Sequence, residues 1–131
     1  MRFEIGGPMP NITVGRLDGR PFAYEDIWQK QNLLLVALDP QPDEKREGEE
    51  AAWVSSLLSH DADLRLYDAV AVVTRDSVPG LQPTSAVVAD RWGEIIAIEQ
   101  PQGTGLPPVA DLIEDLRFVA HACPECEGET R

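Results

Sequence analysis

The chain has 131 residues, enough for one domain around one core. Hydrophobic residues make up 43% and charged residues 26%, with 23 acidic side chains against 11 basic ones and a formal net charge of -12. A field of that sign repels nucleic-acid phosphates and anionic lipid, so neither is expected as a partner, and no apolar run approaches the roughly 20 residues of a membrane span.

The opening Met1-Arg2-Phe3-Glu4 lacks the basic-then-apolar pattern of a secretory leader, so the cytoplasm is the expected compartment. Gly6 to Asn11 is rich in turn residues. Ile12, Val14 and Leu17 then suggest a short strand, Asp18-Gly19-Arg20-Pro21 a turn, and Tyr24 to Trp28 one turn of helix. Leu33 to Leu38 is six apolar residues in a row, the pattern of a strand buried on both faces, and the two prolines of Asp39-Pro40-Gln41-Pro42-Asp43 stop it.

Glu44 to Ser59 reads as a helix with an acidic first turn and an apolar stripe of Trp53, Val54, Leu57 and Leu58. Ala69 to Thr74 is a second buried strand, which completes a right-handed βαβ unit. Arg75 to Thr84 reads as loop, Ser85 to Ala89 as a strand, and Glu94 to Ile98 as its hairpin partner across the Asp90-Arg91-Trp92-Gly93 turn. After a loop rich in proline and glycine, Pro108 opens a last helix whose buried face is Val109, Leu112, Ile113, Leu116 and Ala120. The domain is taken as residues 1–121, with 122–131 as a polar tail that carries both cysteines.

This order of elements, an α/β arrangement with a central mixed sheet flanked by helices, resembles the redoxins of the thioredoxin-like superfamily. The similarity is to the thiol-specific antioxidant and thiol–disulfide oxidoreductase group. It is carried by Gly7-Pro8-Met9-Pro10-Asn11-Ile12-Thr13-Val14, Leu17-Asp18-Gly19-Arg20-Pro21-Phe22, Leu33 to Leu38, Gln82-Pro83-Thr84-Ser85-Ala86-Val87-Val88 and Asp90-Arg91-Trp92-Gly93-Glu94-Ile95. The resemblance implies a cis bond before Pro83 and a substrate-binding role for the Pro83-Thr84 loop. It also implies a nucleophilic cysteine just after the central strand, where a helix N-terminus lowers a thiol pKa. Here that stretch, Asp39 to Arg46, holds no Cys, Ser or Thr.

The remaining chemistry lies in Cys123-Pro124-Glu125-Cys126. The spacing suits a small disulfide ring or one metal ion. With His121 the pair offers three zinc ligands within six residues, and Glu125, His60 or a second chain offers a fourth. A two-fold dimer would close a four-sulfur site. In the redox alternative Cys123 attacks and Cys126 resolves, although a helix C-terminus and Glu125, Glu127 and Glu129 oppose a thiolate. A tail whose cysteines do nothing essential is the third possibility. His60 reads as a dipole partner at a helix end, and Asp43, Glu44, Glu47, Glu49 and Glu50 as a solvated acidic face. Trp53 reads as core, while Trp28 and Trp92 fall at turns where they are free to touch a partner.

The expected function is therefore a redoxin-like binding or interaction module without the usual active-site cysteine, with a protein partner or a homodimer and zinc or a cystine in the tail. The alternative is a thiol–disulfide oxidoreductase working through Cys123 and Cys126.

Overall fold

The computed structural model of the protein describes residues 2–101 and 105–121. Its strands are β1 (Thr13–Gly15), β2 (Pro21–Ala23), β3 (Asn32–Ala37), β4 (Ala69–Thr74), β5 (Ser85–Ala89) and β6 (Ile95–Glu99). Its helices are α1 (Glu44–Leu58), α2 (Asp61–Leu66) and α3 (Val109–His121), with one 3-10 turn at Tyr24–Asp26.

The apolar run beginning at Leu33 forms β3, in which no residue is more than 3% exposed. A strand with water on neither face belongs inside a sheet. The sheet order is β4-β3-β5-β6, with β3 parallel to β4 and antiparallel to β5. Side chains alternate across it. Leu34, Val36, Val73 and Val88 face Leu57 of α1, Leu64 of α2, and Leu112 and Leu116 of α3. Leu33, Leu35, Val72 and Val87 face the other way, onto Val14 and Phe22 of the β1–β2 hairpin and onto Tyr24 and Val78. All three α-helices therefore pack on one face, and the N-terminal segment covers the opposite one. The β4–β5 connection contains no helix and contributes Val78, with Leu81 packed beside it, to this core, in keeping with its short length.

Two elements were not anticipated. Pro21–Ala23 pairs with Thr13–Gly15 as a hairpin around Gly19, whose φ of 88° turns the chain, so Leu17 falls in the turn and is exposed. A six-residue strand–turn signal this short carries almost no periodicity. The helix α2 was hidden for a similar reason, since it buries only Leu64. It also corrects the reading of His60, which is the N-cap of α2 and pairs through Nδ1 with Asp63 Oδ2 at 3.1 Å.

Asn32 ties two connections to the start of β3. Its Nδ2 donates to Tyr67 O at 2.9 Å, and its Oδ1 accepts from the Arg91 N–H at 2.9 Å. At 2% exposure it satisfies two backbone groups that water reaches poorly. Replacing Asn32 by Ala strands both, so urea unfolding should show a loss of about 2–3 kcal/mol.

A half-buried polar contact joins α3 to the sheet edge. The Asp115 carboxyl lies against Glu99, and its Oδ2 finds no donor among the described residues. Burial, the Glu99 hydrogen bond and the charges of Glu99, Asp111 and Glu114 raise its pKa from 3.8 to about 7. Two adjacent carboxylates cannot both ionise cheaply, so one keeps its proton and donates to the other. The folded state then binds this proton more tightly than the unfolded chain does. The associated stability is complete below about pH 4 and is lost as pH rises through about 7. Between pH 5 and 8 the thermal midpoint should fall, and Asp115→Asn should flatten that slope and raise the midpoint at pH 8.

Candidate functional site

Because β3 runs parallel to β4 and antiparallel to β5, the end of β3 meets the end of β4 and the start of β5: Ala37 lies opposite both Thr74 and Ser85. The Asp39–Asp43 loop, Arg75 and the Pro83–Thr84 loop therefore converge at the carboxyl end of the sheet. This is the position that the redoxin resemblance assigns to the active site.

Glu50 lies at its centre. It is completely buried, and its Oε2 accepts from the Asp39 N–H at 3.0 Å. Its Oε1 accepts from Arg75 Nη1 at 2.6 Å, and the same Arg75 nitrogen donates to Asp39 O at 3.0 Å. The three residues lock the chain as it leaves β3. The N-terminus of α1 is occupied as well. Asp43 Oδ1 accepts from the Arg46 N–H at 2.7 Å, and Glu44 and Glu47 fill the first turn. The helix end that would stabilise a thiolate or another anion is thus already partnered by carboxylates of the chain itself. Beside it opens a cleft of about 430 Å3 lined by Leu17, Leu38, Glu47, Val54, Leu58 and Arg75.

The expected solvated acidic face holds for Asp43, Glu44, Glu47 and Glu49 but not for Glu50. The sequence did contain a signal: Glu50 stands four and seven residues before Val54 and Leu57, and so belongs to the apolar stripe.

The Pro83–Thr84 loop sits where expected, beside the end of β3, but the cis bond does not occur. No peptide bond among the described residues is cis. The turn into β5 is made by Thr84, whose φ is 64° and whose N–H donates to Ala37 O at 2.7 Å. A left-handed residue after the proline does the bending that a cis bond before it would otherwise do. That N–H is consequently spent within the protein, while Pro83 stays exposed.

Cys123, Cys126 and Glu125 lie outside the described residues. His121 ends α3 and is exposed. Its Nδ1 donates to Arg117 O at 2.8 Å, Nε2 has no hydrogen-bond partner among the described residues, and its ring meets Tyr67 edge-on at 6.4 Å between centroids. Tyr67 adjoins the start of β3 through Asn32. His121 and Pro83 therefore stand at opposite ends of a strand roughly 17 Å long. His60 pairs with Asp63. Among the described residues no three metal-ligating side chains come together, and no helix is long and apolar enough to cross a membrane.

Because Glu50 is fully buried and Arg75 is its only cationic partner among the described residues, Arg75→Ala should lower the unfolding free energy by about 3 kcal/mol. A Glu50→Met/Arg75→Met double variant should lose much less in the same urea titration, since it leaves no charge unpaired.

No family model matches the sequence, and no curated protein matches it either. Solved structures do match. A mitochondrial 2-Cys peroxiredoxin from Plasmodium falciparum superposes with a TM-score of 0.68 at 9% identity, over 92% of this chain and 100% of that one. A thioredoxin-family thiol:disulfide interchange protein from Chlorobium tepidum gives 0.61 at 9%, over 90% and 99%. The thioredoxin domain of a thiol-disulfide oxidoreductase from Bacteroides vulgatus gives 0.55 at 14%, over 89% and 99%. Sequence identities this low speak for the fold, and the mixed sheet, its order and these superpositions agree: the chain has the thioredoxin-like fold of the redoxins.

Proposed function

We propose that this chain is a redoxin-like binding or interaction module whose carboxyl-end site does no thiol chemistry, and whose CPEC tail is a separate metal or disulfide site. The observation that carries the reading is the Glu50–Arg75–Asp39 lock. A redoxin needs an electropositive, open position there for a thiolate. Here Asp39 to Arg46 has no cysteine, the helix end is capped by Asp43, and Arg75 is held by a buried carboxylate. Such an arrangement gives a rigid, shaped cleft rather than a nucleophile.

The tail is read as a metal knuckle formed by Cys123 and Cys126 with His121. The bond from His121 Nδ1 to Arg117 O supports this, because metal-bound histidines commonly spend the other ring nitrogen on a carbonyl. The fourth ligand then comes from Glu125 or from the matching cysteines of a second chain. A second reading keeps Cys123 as nucleophile and Cys126 as resolving thiol of a thiol–disulfide oxidoreductase. The chemistry named for the structural neighbours favours it. Against it stand Glu125, Glu127 and Glu129, whose charges oppose a thiolate at either cysteine.

Elemental analysis of the purified protein, beside a free-thiol count with and without reductant, separates these readings. The module reading expects about half or one zinc per chain with blocked thiols, lost in Cys126→Ser, the half value marking a dimer that shares four cysteines. It also expects no reduction of peroxide or of insulin disulfides. Metal-free protein with a reversible two-thiol change and disulfide-reducing activity would replace it with the oxidoreductase.

A further inference from the structure

At the amino end of β3, on the face away from the helices, a slot of about 460 Å3 opens between two turns. Its walls are Trp28 and Trp92, 47% and 53% exposed, and its lining includes Pro8, Met9, Tyr24 and Glu25. Among the described residues the one close ring pair is Tyr67 with His121, so the two indoles are not packed on each other. Backbone bonds hold the walls in place. Trp28 N–H donates to Tyr24 O at 3.1 Å, Gln29 N–H to Arg91 O at 2.7 Å, and Met9 N–H to Gly93 O at 2.7 Å.

Gly93 keeps the slot open. Its φ is 91°, and a Cβ placed there would stand 3.1 Å from Trp28 Nε1 and 3.6 Å from the Tyr24 hydroxyl. That hydroxyl is itself unusual, since Tyr24 is 4% exposed and its oxygen has no hydrogen-bond partner among the described residues. A buried, unpaired hydroxyl beneath two half-exposed indoles is costly unless something serves the site.

Charge indicates the class of occupant. Glu25 is the charged group of the lining, and the whole chain carries -12. The neighbouring basic residue, Arg91, is turned to Asp68 at 3.1 Å. Indole rings beside a carboxylate, in an anionic field, favour a weakly hydrated organic cation over an anion. We infer that the Trp28–Trp92 slot binds the methylated ammonium group of a small organic cation, held by the two indoles and by Glu25. This site lies at the opposite end of the sheet from the Glu50–Arg75 cleft and does not depend on the role proposed for it.

Choline and its neutral isostere 3,3-dimethyl-1-butanol, each titrated calorimetrically into the full chain, test the inference. Choline should bind, and the isostere should bind about tenfold more weakly or not at all. Trp92→Ala and Glu25→Gln should each weaken choline by about five- to tenfold. Both substitutions are at exposed positions, so circular dichroism should show the fold unchanged. Arg75→Lys, at the other end of the sheet, should leave choline binding as it was. Equal binding of the isostere would make the slot merely apolar and overturn the inference. So would the absence of choline binding in folded protein, or binding that survives loss of both indoles in Trp28→Ala/Trp92→Ala.

Discussion

The strand β3 has water on neither face, and most of the molecule is arranged to meet that condition. Its backbone groups must be paired on both edges, which β4 and β5 do. Its side chains need apolar cover above and below, which the helices supply on one face and the N-terminal hairpin on the other. Even the polar residues at its ends obey the same demand. Asn32 satisfies the connections that meet at its start, and Glu50 with Arg75 satisfies the chain that leaves its end.

The two ends of that strand differ in chemistry. At the carboxyl end, Glu50 and Arg75 are paired inside the protein and the N-terminus of α1 is capped by Asp43. At the amino end, aromatic rings stand half exposed and a buried hydroxyl goes unpaired. Fold likeness therefore says little about which end works, because one scaffold hosts unrelated sites.

The fold was legible because its signals are local and strong. Leu33 to Leu38 and Ala69 to Thr74 are unbroken apolar runs, and Glu44 to Ser59 and Val109 to Ala120 carry apolar residues at helical spacing. The misses are short elements, β2 and α2, which bury one residue each, Phe22 and Leu64, and so leave no periodic trace. The cis expectation at Pro83 came from resemblance rather than from its own residues, and it failed because Thr84 adopts the left-handed conformation that turns the chain.

By itself the sequence determined the buried strands and their helices, the absence of a cysteine after β3, and the excess of negative charge. These follow from composition and from spacing along the chain. Only the tertiary structure decided that Glu50 meets Arg75 from 25 residues away, that Thr84 N–H is spent on Ala37, and that Trp28 and Trp92 border one slot. Those are contacts between segments distant in sequence. Pairing across such distances is set by strand order and by which face of the sheet each segment covers, and neither leaves a mark in local pattern.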